Sequence, residues 1–273
     1  KKNSVQFAVG RGYRTFGNNR KSVFAHRVFV GRKADAYRRN HGEVYRGMIR
    51  IAHPHIETPI FLTARAPVVL TCENPEEYYK FVTESISAFN GEESDFSFWQ
   101  EEKQIKPDDK GEMLFNNFSF DLGDKKIVNL LYKKLIKNFN NENFLQGLNE
   151  LNACSEKFLL NLTETVDIPV CYDELSLESF FKAVNLKPAK DYENLLEKFI
   201  SLINVFTELK RAEFFVFVGL KDILSAKQLQ AFYYHCSLKQ VGLLLLESNK
   251  RQKLQNEKVI IITEDLCEIV ENF

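Results

Sequence analysis

The stretch Phe214–Asp265 constrains this chain more than any other. Phe214-Phe215-Val216-Phe217-Val218 is a continuous apolar run of β-forming residues, the mark of a strand buried on both faces. Ser225-Ala226-Lys227-Gln228 follows as a capping box. The Ser hydroxyl accepts from the third helical N–H, and the Gln reaches back to the N–H of the cap. Leu224 and Leu229 stand where a hydrophobic staple would, and the helix is expected to run to about Lys239. Val241–Leu246 is a second wholly apolar run and Val259–Thr263 a third. Strand, crossover helix and strand within roughly 35 residues make a βαβ unit. At least half the chain is therefore expected to be α/β with a central, parallel-rich sheet.

The 273 residues suffice for one large or two modest domains, and 44% hydrophobic with 27% charged is the balance of a soluble globular protein. No apolar run approaches the roughly 18 residues of a membrane helix. Lys1 and Lys2 are not followed by the apolar core of a secretory signal. The five cysteines (Cys72, Cys154, Cys171, Cys236, Cys267) are scattered, odd in number and without a C-x-x-C spacing. That favours reduced, mostly buried thiols in a cytosol over a zinc site or a disulfide framework. A cytoplasmic protein with no membrane partner is the expectation.

The formal net charge of zero hides an asymmetry. Residues 1–47 hold twelve Lys/Arg against Asp35 and Glu43, a balance of +10, so the remainder, with 25 against 35, carries −10. The first segment is rich in Gly and Arg and has no sustained helical or strand period. It reads either as a basic arm for nucleic acid or as an extension outside the folded unit, disordered or not native. Composition changes at Met48.

Beyond Met48 the pattern becomes orderly. Ile49–Ile56, Ile60–Thr63 and Pro67–Cys72 read as short strands. Asn74-Pro75-Glu76-Glu77 starts a helix, with Asn at the cap and Pro at the first position. That helix runs to about Phe89, and Phe96–Trp99 reads as an edge strand. Lys106–Glu112 reads as a polar loop and Met113–Phe118 as a strand. Helical stripes follow through Ile127–Phe139, Asn143–Leu162 and a short helix capped by Ser176. Asp191–Arg211 reads as the longest clear helix. The order suggests one α/β head, 48–121 and 212–273, built from both chain ends, with a helical leg at 122–211.

No G-x-x-x-x-G-K-[ST] phosphate loop exists, and the glycine-rich Gly10–Gly17 follows no credible strand. G-x-S-x-G, H-E-x-x-H and a convincing Cys–His pair are equally missing. His53, His55 and Glu57 alternate, as metal ligands on one strand face would, but Pro54 argues for an edge or a bulge, and plain surface histidines are the alternative. Asp167, Asp173, Glu174 and Glu178 cluster around the cap at Ser176. They suit a hard cation such as Ca²⁺, or are simply a solvated acidic helix start. Basic residues recur at helix ends and beyond the second buried strand, among them Lys182, Lys187, Lys210, Arg211, Lys250, Arg251 and Lys253. Gathered on one concave face, they could grip a duplex backbone; a solvated mixed surface is the other reading.

Two segments carry a resemblance. Leu209-Lys-Arg-Ala-Glu-Phe-Phe-Val-Phe-Val218 with the capped helix and Val241-Gly-Leu-Leu-Leu-Leu-Glu247, and Tyr172-Asp173-Glu174-Leu-Ser-Leu-Glu178-Ser-Phe-Phe-Lys182-Ala-Val184, resemble the accessory adaptation protein of type II-A CRISPR–Cas loci, the Csn-two family. The resemblance spans about Met48–Phe273. It implies a degenerate nucleotide-hydrolase-like head with a helical leg. It implies a homotetrameric ring that binds double-stranded DNA ends through a basic channel, stabilised by Ca²⁺ and without enzymatic activity. The implied role is spacer acquisition beside the CRISPR integrase complex and the RNA-guided effector nuclease. Asp173 and Glu174 match the family's acidic segment directly. Asp167 matches across a short insertion, and Glu178 is displaced by one position. Lys182, Lys210 and Arg211 match basic positions; Lys187, Lys250, Arg251 and Lys253 are added on charge alone. A divergent metal- or nucleotide-dependent phosphotransferase or hydrolase using the head is the competing expectation.

Overall fold

A computed structural model describes residues 48–139, 141–210 and 212–271. The extension 1–47 and Arg211 lie outside the described residues. In chain order the strands are β1 (Ile49–His53), β2 (Ile56–Leu62), β3 (Val68–Cys72), β4 (Ser97–Gln100), β5 (Lys103–Ile105), β6 (Gly111–Leu114), β7 (Phe214–Val218), β8 (Gly242–Glu247), β9 (Lys258–Ile262) and β10 (Glu268–Glu271). The helices are α1 (Pro75–Asn90), α2 (Pro107–Lys110), α3 (Lys125–Asn138), α4 (Glu142–Thr163), α5 (Leu177–Ala183), α6 (Leu195–Leu209) and α7 (Ala226–Leu238).

Two sheets result. One is antiparallel with order β2-β1-β4-β5, and the other has order β10-β9-β3-β8-β7-β6. In the second, β6, β7, β8, β3 and β9 are mutually parallel and β10 pairs antiparallel with β9. The fold is thus mixed α/β with a parallel sheet. The crossover unit forms as the apolar runs predict: Phe214 of β7 faces Gly242 of β8. The expected capping box closes α7, with Ser225 accepting from Gln228 N–H. However, β9 does not lie beside β8. β3, from the N-terminal half, inserts between them, with Val69 paired to Leu245 on one side and to Val259 on the other.

The parallel sheet divides the core into two layers. Phe215, Phe217, Leu243 and Leu245 pack with Phe199, Leu202, Ile203 and Phe206 of α6 and Phe232 of α7. Phe214, Val216, Leu244 and Leu246 face the opposite way, onto Phe81 of α1 and Ile51, Ile60 and Phe98 of the antiparallel sheet. A strand covered on both faces has no position left for a polar side chain, hence the unbroken apolar runs. Gly111 is required by a close approach: a Cβ there would stand 2.6 Å from the Phe214 ring edge.

The helices of 122–211 are not alike. α6 is sheet core, whereas α4, 22 residues and the longest helix, buries none of its side chains. α6 is also shorter than the expected 191–211. The strand expected at 113–118 sits earlier, at 111–114, because two asparagines turn the chain. Asn116 Oδ1 accepts from the Phe118 and Ser119 N–H groups, and Asn117 Nδ2 donates to the Val218 carbonyl at 2.6 Å. The cysteines are free, but Cys154, Cys171 and Cys267 are exposed and only Cys72 and Cys236 buried. Mostly buried thiols was therefore the wrong expectation: three of the five fall in surface segments.

Candidate functional site

In an open parallel sheet, ligands bind beyond the carboxyl ends of the strands, where strand order reverses. Here that edge lies at the ends of β3 and β8. β3 passes directly into α1 through Asn74, whose Oδ1 accepts from Glu76 and Glu77 N–H at 3.1 Å each. A side chain therefore satisfies the helix N-terminus that could otherwise face a phosphate. Two of the N-terminal residues are acidic. At the end of β8, Glu247 is buried and accepts from the Lys221 N–H at 3.0 Å. Burial pushes its carboxyl up to about 7, despite backbone donors from Lys221 and Leu220. Burial and the charges of Glu247 and Asp222 raise the Tyr78 hydroxyl to about 12.

The Lys221 side chain, unlike its backbone N–H, does not serve Glu247. Lys221 Nζ is buried against Glu257, 2.9 Å from Oε2 and 3.0 Å from Oε1. Glu257 is fully buried and also accepts from Tyr233 Oη at 2.8 Å and Leu254 N–H at 2.7 Å. This network fastens the β7–α7 loop to the β8–β9 connection. The Lys221 ammonium is thereby committed to Glu257, and the carboxylates beyond β7 and in the first turn of α1 are met by Arg251 at Asp222 and by Lys80 at Glu77.

The predicted acidic residues occupy exposed chain around α5. Asp167, Asp173 and Glu174 lie in irregular backbone, and Glu178 in the first turn of α5. Ser176 caps that helix as expected, accepting from Ser179 N–H at 3.1 Å. Glu178 is taken by Lys182 Nζ at 2.6 Å, which holds its carboxyl below the usual range. The four carboxylates do not converge within the single chain: among the described residues, the group whose ligand atoms all lie within 4.8 Å of one another is His53, Glu84 and Asp95. As placed, they make no Ca²⁺ cage.

The predicted basic residues divide by their partners. Lys210 is largely buried and bonds Asp108 at 2.9 Å, Glu112 at 3.1 Å and the Gly111 carbonyl at 3.1 Å, so it ties the end of α6 to α2 and β6. Lys250 pairs with Glu271 at 2.6 Å, and Arg251 with Asp222 at 2.6 Å, both at the surface. Lys253 donates to the Glu271 carbonyl at 3.2 Å. Lys187 is exposed and forms no ion pair among the described residues. Exposed pairs are worth little, and a phosphate can replace such a carboxylate; the Lys210 contacts are mostly withdrawn from water.

His53, Glu84 and Asp95 have the composition and spacing of a metal-binding site. The surface reading of His53 fails: its ring is 2% exposed, lies between Phe81 and Phe96, and meets Glu84 Oε2 through Nε2 at 2.7 Å. His55 does lie at the surface, bonded to Glu77. Pro54, expected at an edge or a bulge, lies in the turn between β1 and β2; the register of that hairpin shifts just before it, between Ile51 and His53. Burial, then the charges of Asp95 and Glu77, raise the Glu84 carboxyl above its ordinary value. Of this group only His53 was legible, through its alternation with His55 and Glu57; Glu84 and Asp95 reach it from α1 and from the residues before β4, and nothing local in the sequence brings them together.

The chain matches the family described as CRISPR-associated protein (Cas_Csn2) over residues 88–266, well over half its length, and belongs to that family. A "CRISPR-associated protein Csn2" of Streptococcus agalactiae is 23% identical over 233 residues, covering 82% of this chain and 99% of that protein. The crystal structure of Stu0660 of Streptococcus thermophilus shares the fold with a TM-score of 0.50 at 13% identity, over 82% of this chain and 75% of that one. A nucleotide-free ATP-binding cassette from an ABC transporter reaches a TM-score of 0.42 at 10% identity, over 83% of this chain and 92% of that one. No helix of the described residues is long and apolar enough to cross a membrane.

Proposed function

We propose that the chain is a non-enzymatic, ring-forming protein that binds double-stranded DNA ends during type II-A CRISPR spacer acquisition. Its partners would be further copies of itself, the CRISPR integrase complex and the RNA-guided effector nuclease. The observation that carries this reading is the family match over residues 88–266. The head, 48–121 with 212–273, is then a degenerate nucleotide-hydrolase scaffold. The capped, acidic β3–α1 junction supports that and speaks against a phosphotransferase. The helical leg at 122–211 supplies a surface for assembly: α4 exposes Phe144, Leu145, Phe158, Leu160 and Leu162, more apolar surface than an isolated helix usually leaves in water.

The DNA-contacting residues under this reading are Lys182, Lys187, Lys210, Arg211, Lys250, Arg251 and Lys253, with the exposed ones contributing most. Ca²⁺ would bind at Asp167, Asp173, Glu174 and Glu178 once assembly brings acidic segments together, which links ion binding to oligomer mass. Gel shifts of linear and closed-circular duplex at two salt concentrations test the DNA reading. Binding should be sequence-independent and fall steeply with salt; equal retention of circles and linear duplex after a high-salt wash would sink threading onto ends. Light scattering with Ca²⁺ and with chelator tests assembly. Asp173→Ala or Glu174→Ala should loosen the oligomer more than it unfolds the protomer, and an unchanged mass in all conditions defeats the calcium reading.

A further inference from the structure

Three elements from the N-terminal third of the described chain bring one ligand atom each to a single point. His53 ends β1, Glu84 stands in the middle of α1, and Asp95 precedes β4. Their ligand atoms lie within 4.8 Å of one another. The imidazole is not free to swing. It is edge-on to Phe81, with ring centroids 4.9 Å apart, and tilted against Phe96 at 4.5 Å. The neighbouring loop is pinned as well, since Ser94 Oγ donates to the Glu84 carbonyl at 2.9 Å and accepts from Phe96 N–H at 3.0 Å. Pre-organised ligands held by packing and hydrogen bonds are what a metal site requires and a solvated acidic patch lacks.

The charges there are unbalanced. Two carboxylates face one imidazole, and among the described residues neither Glu84 nor Asp95 pairs with a lysine or arginine. The third carboxylate on this face of α1, Glu77, is taken up by His55 and Lys80. We propose that His53 Nε2, Glu84 and Asp95 bind a divalent transition-metal ion of the Zn²⁺ or Mn²⁺ class. One nitrogen with two carboxylate oxygens suits those ions, whereas Ca²⁺ takes six to eight oxygen ligands. Three protein ligands leave coordination positions for water. The ion would fasten β1, α1 and the entry to β4 together, away from the acidic segment around α5.

The ring proton must be accounted for. His55 N–H donates to His53 Nδ1 at 3.2 Å, so the ion-free neutral ring carries its proton on Nε2, facing Glu84. Metal at Nε2 requires the other neutral tautomer, so that proton passes by way of solvent from Nε2 to Nδ1, with none released overall. The neutral, metal-bound ring is then protonated at Nδ1, and the long bond from His55 gives way.

The test uses the full chain, with Zn²⁺ alone and Mn²⁺ alone as probes, by titration calorimetry. Asp95→Asn removes an exposed ligand, and Glu84→Gln keeps the acceptor shape. One ion per chain is expected, weakened at least tenfold by either variant, since even outer-sphere changes cost about 10- to 100-fold. Saturating ion should raise the melting temperature by about 5 °C or more in the native chain, and by much less in Asp95→Asn. The ¹⁵N signal of His53 Nε2 should lose its proton coupling on binding. Failure of the native chain to take up either ion overturns the proposal, as does native affinity in both variants, which would place the ion elsewhere.

Discussion

The parallel sheet and helix α4 both carry large apolar side chains, in unbroken runs in one and in a stripe among polar residues in the other, and these end in opposite environments. Phe214, Phe215 and Phe217 of β7 have no exposure at all, whereas Phe158 of α4 is 64% exposed. The sheet is covered on both faces by its own chain, by α6 and α7 on one side and by α1 and the antiparallel sheet on the other. α4 has the apolar stripe of a packed helix but only partial cover from the described chain: Phe139 stacks on Phe144, the Leu175 N–H donates to Asn152 Oδ1, and no side chain of the helix is fully buried. The sheet with α1, α6 and α7 therefore contains the means of its own stability. Under the proposed assembly, the partner of this helix would lie in another molecule.

Substitutions in the two regions should diverge accordingly. Phe217→Ala removes a fully buried ring and should cost about 3–5 kcal/mol in urea unfolding. Lys221→Ala strands the buried Glu257 carboxylate and should cost about the same, roughly 3–5 kcal/mol. A cost below about 1 kcal/mol would mean that water reaches that network.

Glu247 gives a signed pH dependence. Its folded pKa is raised from 4.5 to about 7 by burial, so the unfolded chain gives up the proton first as pH climbs. The stability it contributes is present in full below about pH 4.5 and is lost as pH rises through about 7. Glu247→Gln keeps an acceptor for the Lys221 N–H. It should flatten that slope and add about 3 kcal/mol above roughly pH 8; an unchanged slope would assign the titration to another group. Gly111→Ala forces a methyl onto the Phe214 ring and should cost about 1–3 kcal/mol. Smallest for the protomer is Phe158→Ala, within about 0.5 kcal/mol, with a lower oligomer mass by light scattering. A protomer loss as large as that of Phe217→Ala would erase the distinction between the two regions.

Much of the secondary structure could be read from the chain because its signals are local. Caps at Asn74, Ser176 and Ser225 depend on a few neighbouring atoms. The site was less legible because its residues meet through folding. The acidic residues near Ser176 are close in sequence yet do not converge. His53, Glu84 and Asp95 are spread over 43 positions and do. Lys210 looked like a free basic helix end and proved to be a structural tie, since its partners Asp108 and Glu112 lie about a hundred residues earlier.

The sequence by itself determined that Phe214–Leu246 would fold as strand, capped helix and parallel strand, because apolar runs, capping chemistry and crossover handedness act within one segment. Only the tertiary structure decided that β3 would separate β8 from β9. A strand apolar on both faces specifies that it will be covered, but its backbone hydrogen bonds are the same for any parallel neighbour. Which neighbour it takes follows from how the whole chain closes its two cores. That closure places an acidic, capped turn at the sheet's carboxyl edge and gathers an imidazole and two carboxylates at the end of β1.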